Sequence, residues 1–192
     1  MPTQKQSNFH ERMIFMNKQI LIAGFGGQGI LFSGKFLAYE GLLEDKEVSW
    51  LPSYGPEMRG GTASCSVILS DTQVGSPIVL NPDILIAMNL PSLDKYEKET
   101  VPGGQIFADS SLIERKITRD DVEAYYIPAT KLASDEGLDG LANMIMIGYL
   151  IKKTGIIPYE NVQRAMQQVV PAKKANLLEH NLRAIEIGYN FN

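Results

Sequence analysis

Gly24-Phe25-Gly26-Gly27-Gln28-Gly29 fits G-x-G-x-x-G, and it stands between a short apolar run, Lys18 to Ala23 (KQILIA), and a helical pattern that begins at Ile30. A glycine-rich turn in that position can hold an anion. Its backbone turns tightly and lets a diphosphate come close, while free N–H groups and the positive end of a helix dipole face the charge. The competing reading is that the glycines only let strand and helix pack tightly, and both readings stay open at this point. A nicotinamide dinucleotide would need an acidic residue about 20 positions on, at the end of the second strand, to hold the ribose hydroxyls. That strand ends Val48-Ser49-Trp50-Leu51-Pro52, and the nearby acids Glu44, Asp45 and Glu47 fall before it or at its start. A dinucleotide site is therefore disfavoured.

The second stretch with chemical potential is the loop Ser53 to Gly61, which gathers Tyr54, Glu57, Arg59, Gly60 and Gly61. Arginine offers a rigid fork of donors suited to phosphate or carboxylate, and the two glycines let backbone come close to something. The plain alternative pairs Arg59 with Glu57 or with a helix carboxyl end. Loops carry binding residues disproportionately, which favours a ligand or an interface here. Elsewhere the residues offer little chemistry. Cys65 sits in an apolar strand and reads as a small buried residue. His180 reads as surface or capping. Asn143, inside an otherwise apolar helix, needs partners for its amide and reads as structural, with loop backbone or ligand as its partner. Asp109 and Ser110 end a strand on the edge where parallel-sheet proteins bind ligands, although a turn or helix cap fits them equally well. No catalytic residue is assigned.

The elements that must position these residues follow from periodicity. Lys18 to Ala23 reads as a buried parallel strand. Ile30, Leu31, Leu37 and Ala38 mark a helix, with Gly34 and Gly41 on the same stripe so that it can lie close on a sheet. Glu47 to Leu51, Thr62 to Ser70, Asp83 to Met88, Gln105 to Asp109 and Val122 to Pro128 read as strands, and Ser92 to Glu99 as a polar helix. Pro52 to Gly61 reads as a loop from its prolines and glycines. Leu141 to Lys153 is apolar on nearly every side, as a helix buried between layers would be. Two helices close the chain, one with Pro158 in its first turn and one carrying Leu178, Leu182, Ile185 and Tyr189. The expectation is a three-layer, Rossmann-like α/β domain with a mostly parallel sheet and a helical C-terminal part, spanning residues 16–192 behind a flexible tail, residues 1–15.

Composition bounds the function. The chain has 192 residues, 44% of them apolar, enough for one ordinary domain. Eighteen Lys and Arg against 22 Asp and Glu give a net charge of −4 without a basic block, which argues against nucleic acid. One cysteine and two distant histidines form no metal-ligand spacing. The longest apolar run, Met144 to Ile151, is far below the roughly 18 to 20 residues of a membrane span, and the first fifteen residues lack a signal-peptide core. A soluble, cytoplasmic protein is expected.

GFGGQGILFSGKFLA, then SYGPEMRGGTASCSVILSD with SPIV, NPDILIAMN and GGQIFADSS, resembles the gamma subunit of 2-oxoacid:ferredoxin oxidoreductases. The similarity covers about Met16 to Gly188, and GGQG followed by YGPEMRGG is specific. The resemblance implies an enzyme that converts a 2-oxoacid, coenzyme A and oxidised ferredoxin to acyl-CoA, carbon dioxide and reduced ferredoxin. It also implies a Rossmann-like domain packed beside the alpha and beta subunits, with thiamine diphosphate and iron–sulfur clusters carried by partner subunits. A ferredoxin-like delta subunit and ferredoxin itself are further implied partners; nucleic acid and membrane are not. By the same resemblance Gly24, Gly26, Gly27, Gln28 and Gly29 face the adenosine-phosphate end of coenzyme A, whose 3′-phosphate a ribose-binding carboxylate would repel. YGPEMRGG looks more like the 2-oxoglutarate or branched-chain members than the pyruvate members, which tend to have an ERRGAP-like loop. The rivals are a free-standing dinucleotide-binding oxidoreductase and a purely architectural subunit whose glycines are packing devices.

Overall fold

The KQILIA run forms the middle of β1 (Asn17–Phe25), whose alternate side chains enter two different apolar clusters. Ile20 and Ile22 face one side of the sheet and Leu21 the other. Ile84 and Ile86 against Leu85 in β4 (Ile84–Ala87), and Phe107 against Ile106 in β5 (Gln105–Asp109), repeat the alternation. A strand buried on both faces needs a continuous apolar run, and these three have one. The computed structural model describes residues 16–54, 62–171 and 175–192; the expected tail, residues 1–15, lies outside them.

Six strands form one sheet in the order β2-β3-β1-β4-β5-β6, with β2 at Glu47–Tyr54, β3 at Thr62–Ser70 and β6 at Glu123–Ile127. β1, β4, β5 and β6 are mutually parallel. β3 is antiparallel to both its neighbours, so β2 runs in the same direction as β1. The sheet is thus mostly parallel, as expected, with one reversed strand wedged beside its centre. β2 runs three residues beyond the expected Leu51, through Pro52 to Tyr54. It is an edge strand, where a proline takes no ladder bond from a neighbour on the open side.

One face carries α1 (Ile30–Leu43), α4 (Ala142–Thr154), α5 (Val162–Val169) and α6 (Ala175–Tyr189), and the opposite face carries α2 (Leu90–Tyr96). α3 (Ala129–Asp135) packs against α4. α4 is buried from Asn143 to Ile151, lying between the sheet and α6, as its all-round apolar sequence implied. The α4–α6 crossing is close because glycine faces backbone from both sides. A Cβ at Gly148 would collide with the Ile185 carbonyl, and one at Gly188 with that of Ile145. No helix among the described residues is long and apolar enough to cross a membrane.

Candidate functional site

β1 delivers the chain to the glycine-rich turn at the carboxyl edge of the sheet, and α1 leaves from it. The turn is held by Gln28. Its Oε1 accepts from the Phe25 N–H at 2.6 Å and from Asn89 Nδ2 at 3.4 Å, and its Nε2 donates to the Met88 carbonyl at 3.0 Å. The Gln28 N–H donates to the Phe25 carbonyl at 3.2 Å. Gln28 therefore stitches the end of β1 to the end of β4, and its side chain is committed to the fold. Gln28→Ala should lower the stability of the chain by about 1–3 kcal/mol in thermal or urea unfolding, because it strands the Phe25 donor and the Met88 acceptor.

The glycines divide their work. Gly24 lies in the last part of β1, where a Cβ would meet Gln28 Oε1 at 2.6 Å and the end of the Ile30 side chain at 2.7 Å, so it serves packing. Gly29 is the N-cap of α1 in the left-handed conformation (φ 72°), and its carbonyl accepts from Ser33 N at 3.0 Å and Asn143 Nδ2 at 3.1 Å. A Cβ there would stand 2.5 Å from that same Nδ2. Gly27 also has a positive φ, 97°, but a Cβ on it would meet nothing within 4 Å. It is exposed, as Gly26 is, and a side of its backbone is open where a Cβ would stand. Among the described residues no side chain caps α1, and its first turn holds no acid, so they leave the positive end of a 14-residue helix open to another partner.

Gly27 and Gln28 form one wall of a cleft of about 290 Å³, completed by Met88, Leu112, Thr130 and Asp139. That is at the lower end of small-ligand pockets, room for one part of a large cofactor. Among the described residues the lining includes no lysine or arginine, so from these residues an anion would meet backbone N–H groups, and Asp139 disfavours a second negative charge close by.

The other residues singled out from sequence find defined places. Asn143 donates to the Gly29 carbonyl and, at 3.0 Å, to Ser33 Oγ, and the carbonyl fixes which end of the amide points there. It is a structural brace between α4 and the turn. Asp109 is fully buried and accepts from Ser111 N at 3.0 Å, Thr130 N at 3.1 Å and Thr130 Oγ1 at 2.5 Å; it ties the end of β5 to the start of α3 and is a cap. Ser110 is half-buried and pairs its N–H with Ile127. Cys65 is buried, and burial pushes its thiol up to about 12, so it is no nucleophile at neutral pH. His180 is exposed on α6.

Tyr54 ends β2 opposite Ala63, next to the pairing of Phe25 with Thr62. The carboxyl end of β2 thus reaches the same sheet edge as the glycine-rich turn, with β3 between them. Glu57, Arg59, Gly60 and Gly61 lie outside the described residues. Leu51, Pro52, Ser53 and Tyr54 supply no carboxylate at the place where a dinucleotide ribose would need one. One residue that sequence reasoning passed over belongs to the site. Asn89 caps α2 by accepting from Ser92 N at 2.8 Å while donating to Gln28. An Asn followed two residues later by Pro91 is a helix-start signal, and it places the start of α2 at Leu90 instead of Ser92.

The sequence model for pyruvate ferredoxin/flavodoxin oxidoreductase matches residues 19–191. The chain belongs to that family. Within it, the 2-oxoglutarate synthase subunit KorC of Methanocaldococcus jannaschii is 38% identical over 183 residues, covering 94% of this chain and 96% of KorC. The ketoisovalerate oxidoreductase subunit VorA of Methanothermobacter thermautotrophicus is 39% identical over 176 residues, 91% of this chain, but the chain spans only 36% of VorA. The crystal structure of the keto/oxoacid ferredoxin oxidoreductase gamma subunit from Geobacter sulfurreducens superposes with a TM-score of 0.76 at 27% identity, covering 90% of this chain and 96% of that one. A 2-oxoglutarate:ferredoxin oxidoreductase from Magnetococcus marinus, solved with 2-oxoglutarate, coenzyme A and succinyl-CoA bound, shares the fold over 30% of its chain at 24% identity and a TM-score of 0.80. The fold of this chain is that of the gamma subunit of the family.

Proposed function

We propose that this gamma subunit serves a thiamine diphosphate-dependent 2-oxoacid:ferredoxin oxidoreductase of the 2-oxoglutarate or branched-chain type, in the cytoplasm, where it supplies one wall of the coenzyme A site. The observation that carries the reading is the open backbone of Gly27 in front of an uncapped α1, beside a cleft sized for part of the cofactor. The N–H groups at that helix start suit a phosphate, and the lining among the described residues holds no cation, which leaves remaining phosphate charge to residues outside it. The fit is to one end of coenzyme A, a site shared between chains. Gly26, Gly27 and Gly29 provide the backbone; Gln28 and Gly24 keep it in shape.

Thiamine diphosphate and the iron–sulfur clusters, on the alpha, beta and delta partners, would supply decarboxylation and electron transfer. This chain's part is to bind and orient the acyl acceptor and to hold the assembly together, with Tyr54, Glu57, Arg59, Gly60 and Gly61 as the segment offered to ligand or partner. The two named relatives, a 2-oxoglutarate synthase subunit and a ketoisovalerate oxidoreductase subunit, favour those substrate classes over pyruvate.

Gly27→Ala tests the cradle, because the methyl group meets no protein atom and the left-handed backbone costs about 1–2 kcal/mol. The complex reconstituted with this variant should assemble, keep its KM for the 2-oxoacid, and show a KM for coenzyme A raised about tenfold, equivalent to about 1.4 kcal/mol. An unchanged KM for coenzyme A in an assembled complex would leave the architectural reading in its place.

A further inference from the structure

α1 carries a carboxylate on its buried side. Glu40 lies one turn beyond Phe36 and Leu37, has no exposed surface, and neither of its oxygens has a hydrogen-bond partner among the described residues. The charges acting on it come from two elements. Glu44 is one turn further on, at the C-cap of α1, and Glu160 sits in the 3-10 turn that leads into α5; among the described residues no cation offsets them. Asn161, next in that turn, donates its side-chain amide to Glu44, so the two elements are tied together beside the buried acid. α5 then packs along α1 with Val162, Ala165, Met166 and Val169 buried. An unpartnered carboxylate in such a place is far less stable than the neutral carboxyl.

We propose that the seam between α1 and α5 is a proton-gated latch, closed while Glu40 holds a proton and loosened when Glu40 ionises beside Glu44 and Glu160. Burial first, then the two neighbouring carboxylates, push the Glu40 carboxyl from 4.5 up to about 8. The folded value is raised, so the contribution to stability is full below the unfolded value. It declines above pH 4.5, where the unfolded chain sheds the proton, and is lost once the folded chain has ionised near pH 8. The latch lies at the end of α1 away from the glycine-rich turn, so its test does not depend on the coenzyme A reading.

The experiment compares the full chain with Glu40→Gln at pH 6 and pH 9, by thermal unfolding and by hydrogen exchange of the α5 amides. The wild-type Tm should fall between the two pH values by about 5 °C or more beyond the fall in the variant. The α5 amides should lose protection at pH 9 in the wild type only. Equal pH slopes and equal α5 protection would overturn the latch. So would a rise of the wild-type Tm at pH 9 on adding millimolar magnesium that Glu40→Gln abolishes, since that marks a cation site. Should Glu40→Gln fail to fold, carboxyl carbon NMR of the wild type decides: a Glu40 midpoint well above the ordinary carboxylate range supports the latch, and one near 4.5 ends it.

Discussion

Gly148→Ala and Gly188→Ala should each be among the most destabilising methyl additions in the chain, lowering stability by about 3 kcal/mol or more and Tm by roughly 10 °C. Each new Cβ would fall on a backbone carbonyl of the facing helix, Ile185 for the first and Ile145 for the second. A side chain struck by a methyl can rotate; a helix backbone cannot move without its neighbours. α4 and α6 would have to separate, and α4 is buried from Asn143 to Ile151 between α6 and the sheet, so separation opens the core. Gly155→Ala is the internal control. It has a left-handed backbone, φ 58°, with nothing within 4 Å of a Cβ, and should lose only the conformational term of about 1–2 kcal/mol. Thermal melts of the three variants, compared with wild type, check the ordering. Gly148→Ala and Gly188→Ala melting no lower than Gly155→Ala would show that the crossing is looser than described.

Gly29→Ala should act on stability and on the site together. The left-handed backbone costs about 1–2 kcal/mol for any side chain. The added Cβ also meets Asn143 Nδ2 at 2.5 Å, displacing the amide that braces the Gly29 carbonyl and Ser33. Stranding those buried groups adds about 1–3 kcal/mol. A double-mutant cycle with Asn143→Ala separates the two parts: once the amide is gone, Gly29→Ala should cost only the conformational part, giving a coupling of about 1 kcal/mol or more. Additive losses would mean that Asn143 does not resist the methyl. In the assembled complex, Gly29→Ala should raise the KM for coenzyme A more than Gly27→Ala does, because it shifts the start of α1 as well as filling space.

The strand–turn–helix unit was legible because each of its signals is local: an apolar run too short for anything but a strand, glycines, and a helical stripe. α4 was legible for the same reason, since a helix buried on every side has no polar stripe to hide it. The reversal of β3 was not. Direction in a sheet is set by which neighbours a strand finds, and Thr62 to Ser70 reads as a strand whichever way it runs. α3 escaped because its seven residues, ATKLASD, are too few to show a helical period. Within the turn, the pattern identified the glycines but could not apportion them. Whether a glycine faces a neighbour, as Gly24 and Gly29 do, or open space, as Gly27 does, depends on Met88 and Asn143, far away in the chain. Neither the hydrogen bonds of the Gln28 side chain to Phe25, Met88 and Asn89 nor the burial of Glu40 has a local sequence signal, since both depend on contacts made by the fold. Here both side chains turn inward.

The burial of α4 by α6 also has a consequence for biosynthesis. α4 ends at Thr154, and the helix that covers its outer side begins only at Ala175 and ends at Tyr189. At about 5–20 residues per second, a ribosome presents the sheet and α4 for some seconds before their last cover exists. During that interval an apolar helix face is open to wrong partners, the kind of surface that holding chaperones bind. Premature termination between α4 and α6 should yield not a shorter subunit but an aggregating fragment.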